Sequence, residues 1–208
     1  MKNVIKENKI VAILRNIPSE KILNIIEIAY LEGIKVFEVS LMSRESFNQI
    51  EQVKKYFGSK IIIGAGTVIN TNLAEDALNV GADFLFSPSS DEKVLDFCKS
   101  KSIKIIPGVF SPSDISLCLS YGYSLLKLFP ANIFPISYIK ELKGPFPQTE
   151  YLAVGGVNEN NYKDFLNSGF LGVGLSSSLF PKELVIKSDW DGIKNNISKY
   201  KLVNNVNG

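Results

Sequence analysis

Leu125-Leu126-Lys127-Leu128-Phe129-Pro130-Ala131 places one lysine in the middle of an apolar run that is otherwise typical of a fully buried strand. A buried ammonium group without a partner is costly, so an interior lysine tends to lose its proton. The neutral amine is a nucleophile for carbonyl carbon, which makes Schiff-base chemistry the first hypothesis for Lys127. The alternative is an edge strand from which Lys127 extends its ammonium group to water.

Short apolar runs of this kind recur along the chain, and amphipathic stretches separate them. The eight runs are Ile10–Leu14, Val36–Val39, Ile61–Ile63, Phe84–Phe86, Ile103–Ile106, Leu125–Phe129, Tyr151–Val154 and Phe170–Val173. Between them, apolar residues recur at helical spacing, as at Ile22, Ile25, Ile26 and Ala29. Asp91 and Asn158 are predicted to cap two of these helices.

Alternating strands and helices require parallel crossover connections, and eight such units fit a closed barrel better than an open sheet. A doubly wound sheet is the alternative, but it would need a glycine-rich turn after the first strand, and residues 14–18 contain no glycine. The sequence therefore predicts an α/β fold, a single-domain (β/α)8 TIM barrel over residues 1–200, followed by a polar C-terminal tail at 201–208.

Composition narrows the choice of partners. The chain has 208 residues, 45% of them hydrophobic, and a formal net charge of +2 with its charged residues scattered. This balance indicates no nucleic-acid partner. No apolar run approaches the length of a membrane span and no signal-peptide core follows Met1, so we expect a cytoplasmic protein without membrane contact.

The sequence contains no histidine, which excludes Ser-His and Cys-His nucleophilic systems and histidine-based zinc sites. Cys98 and Cys118 both fall in stretches predicted to be helical, without the spacing of a metal site or a redox pair. We expect them to be reduced packing residues. Chemistry must then use Lys, Glu, Asp, Tyr or the backbone, and no metal or cofactor is expected.

Barrel enzymes place their chemistry where the strands end and the following loops begin. These positions carry one amine, one carboxylate, one guanidinium, several hydroxyls and two glycine-containing loops. In chain order they are Arg15, Glu38, Thr67, Ser87-Pro88, Pro107-Gly108, Lys127, Gly155-Gly156 and the segment 174–178.

Three polar side chains can be given roles around Lys127. Glu38, if it faces Lys127, could transfer the protons that imine chemistry needs. The alternative is a buried ion pair without catalysis. Arg15 could bind a carboxylate or phosphate, or form a salt bridge between subunits. Thr67 could bind the carboxylate of a 2-oxo acid, or belong to an ordinary turn.

Two loops on the last two strands are candidates for phosphate binding. Gly155-Gly156 allows a close approach of the backbone to a ligand, and a helix starting at Asn158 would direct its N-terminal amides at an anion. Gly174-Leu175-Ser176-Ser177 follows on the next strand, and both loops converge on one space in a closed barrel.

Several stretches resemble a known family. They are Val11–Arg15, Phe37–Leu41, Ile63–Val68, Ser87-Pro88, Ile106–Val109, Lys127–Ala131, Lys143–Pro147 and Val154–Val157. In these motifs and their order the chain resembles the class I 2-keto-3-deoxy-6-phosphogluconate and 2-keto-3-deoxy-6-phosphogalactonate aldolases, including the bifunctional 4-hydroxy-2-oxoglutarate aldolases. The resemblance spans nearly the whole chain.

The resemblance implies a homotrimeric barrel without a metal that cleaves a 2-keto-3-deoxy-6-phospho sugar acid to pyruvate and glyceraldehyde 3-phosphate. The family's Schiff-base lysine corresponds to Lys127 and its acid/base glutamate to Glu38. Further matches are Arg15 and Thr67 near the pyruvyl carboxylate, Pro88 and Phe129 beside the reactive centre, and Gly155, Gly156 and Ser177 in the phosphate loops.

Three departures from the family pattern bear on specificity. Met42 stands where the phosphogluconate enzymes typically have arginine, so a guanidinium is lost from the site. Val154 replaces their threonine and is similar to the phosphogalactonate branch. Loss of such a polar contact can change discrimination between substrates a hundredfold or more, on the order of several kcal/mol. Ser176 replaces a frequent glycine and could crowd the phosphate.

Two other functions remain open at this point. One is another phosphate-binding barrel, such as a phosphoribosyl isomerase or a thiamine phosphate synthase, in which Lys127 is only an anion ligand. The other is a barrel that binds a sugar phosphate or a protein partner without turnover. The presence of both Glu38 and Lys127 favours the aldolase.

Overall fold

Parallel strands and helices alternate through residues 1–200, the part of the chain that the computed structural model describes; the tail predicted at 201–208 lies outside it. The strands are β1 (Ile10–Leu14), β2 (Val36–Ser40), β3 (Ile62–Gly66), β4 (Phe84–Phe86), β5 (Ile105–Ile106), β6 (Gly108–Val109), β7 (Leu125–Leu128), β8 (Glu150–Val154) and β9 (Gly172–Leu175). The helices are α1 (Lys2–Asn8), α2 (Ile22–Leu31), α3 (Glu45–Phe57), α4 (Thr71–Asn79), α5 (Glu92–Ser100), α6 (Pro112–Ser120), α7 (Tyr138–Lys143), α8 (Tyr162–Asn167), α9 (Lys182–Lys187) and α10 (Trp190–Ser198). Short 3₁₀ turns lie at Ser19–Lys21 and Ala131–Ile133.

The sheet closes on itself through a strand that is split by proline. The strand order is β5-β4-β3-β2-β1-β9-β8-β7-β6, and every neighbouring pair is parallel. Pro107 alone separates β5 from β6, because proline has no N–H to donate to the ladder. Its carbonyl still accepts a hydrogen bond from the Lys127 N–H at 2.8 Å. The two ends of the order are thus one interrupted run, which confirms the predicted barrel over the open sheet.

The barrel interior is filled by side chains from alternate strand positions. Ten buried residues form this inner cluster: Ile5, Val11, Ile13, Val36, Phe84, Phe86, Ile106, Leu125, Leu152 and Val154. Successive side chains of a strand point to opposite faces. Glu38 and Lys127 each lie two residues after a member of the inner cluster, Val36 and Leu125, so they also point inward. Glycine at the inward position 64 leaves room for its partner on β4, since a Cβ there would overlap the Phe84 ring.

The helices cover the outside of the barrel much as the sequence predicts. In α2 the buried residues are Ile22, Ile25, Ile26 and Ala29, which confirms the predicted helical face. The Asp91 side chain caps α5 by accepting from the Val94 N–H at 3.0 Å. Among residues 1–200, no helix is both long enough and apolar enough to cross a membrane.

The predicted cap at Asn158 is wrong. Helix α8 begins only at Tyr162, and its N-cap is Asn161. The Asn158 side chain instead accepts from the Asn160 N–H at 2.9 Å, while the Asn158 N–H donates to the Asn161 side chain at 2.8 Å. An asparagine side chain can accept a hydrogen bond from the backbone two residues further along the chain. This bond stabilises a turn, so asparagine is typical of turns as well as of helix caps. Asn158 therefore lies in the loop before the helix.

Helix α1, which the sequence analysis did not predict, packs against the first and last strands at the amino-terminal side of the barrel. Its residue Ile5 is buried in the inner cluster. The Lys9 carbonyl at the end of α1 accepts from the Val173 N–H at 2.8 Å. A Cβ at Gly172 would lie 2.9 Å from Ile5 Cγ2, so glycine permits this close approach.

We predict that Ile5→Ala lowers the free energy of unfolding by about 2–5 kcal/mol, because it leaves a cavity at the floor of the inner core. Lys6→Ala, at an exposed position of the same helix, is the matched control and should change stability by less than about 0.5 kcal/mol. Urea unfolding followed by circular dichroism measures both. Equal losses in the two variants would contradict the role of α1 as part of the core.

Candidate active site

Lys127 lies at the centre of the barrel. It pairs with Gly108 on one side and Leu152 on the other, and its side chain is only 5% exposed. The Nζ atom lies 4.5 Å from the centre of the Phe86 ring and 4.7 Å from that of Phe129. These two rings shield the amine from water, so the alternative of a lysine that reaches solvent from an edge strand is wrong.

Burial lowers the pKa of Lys127 from 10.5 to about 8, and the positive charge of Arg15 acts in the same direction. The negative charge of Glu38 opposes the shift by stabilising the ammonium form. A pKa of about 8 leaves about a tenth of the amine neutral at pH 7, far more than an ordinary lysine has. The nucleophilic form is therefore present at neutral pH.

Glu38 lies on β2 between Ile13 and Gly64 of the neighbouring strands and is 3% exposed. Its carboxyl group fills the space above Gly66, where any Cβ would overlap it. Burial raises the pKa of Glu38 from 4.5 to about 7, although the positive charges of Lys127 and Arg15 both act to lower it. Such a group can take up and release a proton near neutral pH.

Glu38 and Lys127 influence each other through space. Within residues 1–200, neither side chain forms an ion pair. The structure therefore does not contain the buried Lys127–Glu38 ion pair that the sequence left open as an alternative. Among the described residues, neither group is therefore neutralised by an ion-pair partner.

A cavity of about 300 Å³ has in its wall Ile13, the strand partner of Glu38, and Phe129, whose ring contacts Lys127 Nζ, although neither Lys127 nor Glu38 itself lines it. It brings together seven of the predicted site residues: Arg15, Phe129, Val154, Gly155, Gly156, Ser176 and Ser177. The other wall residues are Ile13, Val157, Asn158, Gly174 and Ser178. The cavity wall thus combines apolar side chains, among them the Phe129 ring that contacts Lys127, with one guanidinium group and a polar side made of two loops.

Gly155 and Gly156, on the polar side of the cavity, follow β8 and pack close to the residues that come after Lys127. Gly155 and Gly156 have φ angles of +94° and +73°, which residues with a Cβ rarely adopt. A Cβ at Gly155 would also lie 3.0 Å from the Pro130 ring and 3.2 Å from Phe129. Glycine is therefore required by packing against the residues that follow Lys127, in addition to any approach of a ligand.

The carbonyl of Gly156 is held by two side-chain amides. Asn161 Nδ2 donates to it at 3.0 Å and Asn158 Nδ2 at 3.3 Å. The prediction that a helix starting at Asn158 directs its amides at an anion is wrong, since the helix begins four residues later. Asn158 contributes to the cavity wall instead.

The cavity wall includes neither Thr67 nor Pro88. Thr67 has a φ of +61° and its Oγ1 lies 2.8 Å from Ser40 Oγ. The backbone of Pro88 packs against Gly108, at the point where a side chain on β6 would otherwise lie.

The departures from the family pattern fall in different places. Val154 and Ser176 lie in the cavity wall. Met42 is 58% exposed and lines a separate cavity of about 230 Å³. Sequence reasoning missed Ile13 and Phe86 as site residues, although each has the inward parity of its strand and this parity could have identified them.

No cluster of three or more metal-ligating side chains occurs within residues 1–200. Cys98 and Cys118 are buried free thiols in α5 and α6. Burial raises the pKa of Cys98 to about 11 and that of Cys118 to about 12, which makes both thiols unreactive at neutral pH.

A buried amine with a lowered pKa, a titrating carboxyl group and an open cavity at the carboxyl ends of the strands define a lysine-dependent barrel enzyme. The family model described as KDPG and KHG aldolase matches residues 1–196. The chain belongs to this family and is an aldolase, a carbon–carbon lyase.

Individual relatives agree with this assignment. The chain is 33% identical to a probable 2-dehydro-3-deoxy-6-phosphogalactonate aldolase of Rhizobium meliloti, over 84% of this chain and 82% of the relative. It is also 33% identical to a 2-dehydro-3-deoxy-phosphogluconate aldolase of Pseudoalteromonas atlantica, over 77% and 75%. Among solved structures, KDPG aldolase from Legionella pneumophila, with pyruvate captured as a covalent carbinolamine, superimposes with a TM-score of 0.89 at 30% identity, covering 95% of this chain and 96% of that one.

We predict that Glu38→Gln lowers the pKa of Lys127 below about 8, because the substitution removes the negative charge that favours the ammonium form. Trace acetylation with acetic anhydride at a series of pH values, with Lys140 as the internal reference, measures this pKa by peptide mass spectrometry. Glu51→Gln on the surface of α3 is the control and should leave the titration of Lys127 unchanged. An upward shift in Glu38→Gln would contradict the coupling.

Proposed function

We propose that this chain cleaves a 2-keto-3-deoxy-6-phospho sugar acid to pyruvate and glyceraldehyde 3-phosphate through a Schiff base on Lys127. The observation that carries the proposal is Lys127 itself: the residue is 5% exposed, and its amine has a pKa of about 8. The carboxyl group of Glu38, with a pKa of about 7, supplies a proton carrier in the same interior.

The first half of the reaction forms the imine. Neutral Lys127 attacks the C2 ketone, and its nitrogen passes one proton to the former ketone oxygen, directly or through one water, which gives the carbinolamine with its C2 hydroxyl. Glu38 in its protonated form donates to the C2 hydroxyl, which leaves as water and gives the protonated imine. Phe86 and Phe129 exclude bulk water from the nitrogen, so the amine reaches this step without a hydration shell.

The second half breaks the C3–C4 bond. The Glu38 carboxylate takes the proton of the C4 hydroxyl, directly or through one water, and C4 becomes the aldehyde carbon of glyceraldehyde 3-phosphate. The electron pair of the C3–C4 bond moves into the protonated imine and gives an enamine. Glu38 then returns its proton to C3, and hydrolysis of the imine releases pyruvate and Lys127.

The cavity suggests how the substrate lies. Arg15 lies in the cavity wall, and its positive charge acts on both Lys127 and Glu38, so we assign it and Thr67 to the carboxylate end of the substrate. Backbone amides and hydroxyls of the two loops are suited to the phosphate: Gly155, Gly156, Ser176 and Ser177. Phe129 and Pro88 would flank the reacting carbon atoms.

We further propose that the galactonate epimer is the better substrate. The two epimers differ at C4, and Val154 offers no hydroxyl to a substrate hydroxyl in the cavity wall where the phosphogluconate enzymes typically have threonine. Because the chain is 33% identical to an aldolase of each kind, the preference rests on Val154 alone.

A homotrimer is part of the same proposal. The number three follows the family resemblance, and self-association is supported by a partly exposed aromatic cluster, in which the rings of Phe110 and Phe134 lie 4.8 Å apart and those of Phe134 and Tyr138 lie 4.2 Å apart. Phe110 and the nearby Ile133 are 41% and 61% exposed in the single chain. The cytoplasmic location expected from the sequence stays a prediction.

We predict that pyruvate and sodium borohydride modify Lys127 irreversibly, because the borohydride reduces the imine that neutral Lys127 forms with the ketone. Peptide mapping by mass spectrometry locates the adduct. Lys127→Met should abolish both the adduct and pyruvate release, whereas Lys140→Met on the exposed face of α7 should preserve them. A Lys127→Met protein that cleaves substrate at the normal rate would refute the proposed mechanism.

We predict that Val154→Thr raises the rate on the gluconate epimer relative to the galactonate epimer, because it restores a hydroxyl to the cavity wall. Kinetics of pyruvate release from each epimer, coupled to lactate dehydrogenase, give the ratio of kcat/KM values, and we expect about a tenfold change in that ratio. An unchanged ratio would remove the reason for favouring the galactonate epimer.

A further inference from the structure

Ser40 is a buried serine two residues beyond Glu38, at the end of β2, and its backbone is firmly fixed. The side chain has the same inward parity as Glu38, and the residue is 3% exposed. The Ser40 carbonyl accepts from the Met42 N–H at 2.8 Å and from the Ser46 hydroxyl at 3.1 Å. Its pairing with Gly66 places it beside the start of the loop that carries Thr67.

The hydroxyl groups of Ser40 and Thr67 are hydrogen-bonded to each other, with 2.8 Å between the oxygens. Thr67 holds a left-handed backbone conformation, with φ at +61°, that a β-branched residue seldom adopts. Such conformations persist only where the surroundings fix them, and they concentrate at functional sites. The bond from Ser40 is one of the contacts that fix the threonine hydroxyl in this position.

The direction of this hydrogen bond follows from burial. Each hydroxyl has one proton to donate and can accept two further hydrogen bonds. Ser40 Oγ makes no other hydrogen bond within residues 1–200, and its residue is almost completely buried. If Thr67 donated to it, the Ser40 proton would be left without an acceptor in the interior, which is costly. Ser40 therefore donates, and the proton of the half-buried Thr67 stays available.

We propose that Ser40 is a positioning residue: by donating to the Thr67 hydroxyl, it orients that hydroxyl so that Thr67 donates its own proton to the substrate carboxylate. The inference rests on the proposed function and deepens it, since it names what sets the affinity for the carboxylate of a 2-oxo acid. A carboxylate only accepts hydrogen bonds, so an oriented donor favours it over a neutral ketone. Ser40 itself does not touch the substrate in this account.

The test compares pyruvate with acetone, a ketone that lacks the carboxylate. The concentration of each that gives half-maximal borohydride trapping at Lys127 is measured for the wild type, Ser40→Ala, Ser40→Thr and Thr67→Val. In Ser40→Ala and Thr67→Val, we expect the half-maximal pyruvate concentration to rise about tenfold while the acetone value stays unchanged. Ser40→Thr keeps the hydroxyl and should restore the wild-type value.

Two further variants separate positioning from a general disturbance of the site. Ser46→Ala removes the bond to the Ser40 carbonyl but leaves the Ser40 hydroxyl in place, and it should keep the wild-type ratio of the two values. In the double variant Ser40→Ala/Thr67→Val, the rise should be no larger than in Thr67→Val alone, because both substitutions remove the same function.

The outcomes distinguish a failure of the positioning role of Ser40 from a failure of the proposed function. If the wild type traps pyruvate at Lys127 but Ser40→Ala and Thr67→Val weaken pyruvate and acetone equally, the positioning role is overturned and the proposed function stands. Fully additive effects in the double variant would overturn it in the same way. Thr67→Val keeps the β-branched shape, so it gives this answer even if Ser40→Ala fails to fold. A wild type that traps neither ketone overturns both proposals.

Discussion

The site depends on the burial of the Lys127 amine, which keeps water away from its charged form. The barrel interior, with Phe86 and Phe129 against the nitrogen, disfavours the charged form and lowers the pKa to about 8. Glu38 limits this shift, and the same burial raises its own pKa to about 7. Two groups whose ordinary values lie six units apart, at 4.5 and 10.5, are thereby brought to the range in which both exchange protons at neutral pH.

Small residues make room for this chemistry. Glycine at position 66 leaves the space that the Glu38 carboxyl group fills, and glycine at position 64 does the same for Phe84. Gly155 packs closely against Pro130. The Gly155-Gly156 loop, which is suited to an anion, is therefore held against the residues that follow Lys127. The reacting pair and the polar side of the cavity are therefore parts of one packed unit.

The sequence was sufficient for the features that depend on local periodicity and on strand parity. The apolar runs predicted the barrel, and the buried lysine and glutamate were identified from the runs that contain them. Features that depend on tertiary contacts were missed: helix α1 is short and is stabilised by Ile5 in the core, and the cap at Asn161 depends on turns within its own loop. The pairing of Ser40 with Thr67 joins residues 27 positions apart, and a left-handed threonine has no local signature.

The pKa of Lys127 in the free protein tests the central claim most directly. Lysine labelled with ¹³C at Cε and assigned through the loss of one signal in Lys127→Met allows this group to be titrated by NMR between pH 6 and 11. We expect a midpoint near pH 8, well below the ordinary lysine value of 10.5. A midpoint near the ordinary value of 10.5 would contradict it, because the amine would then be as well solvated as any other lysine.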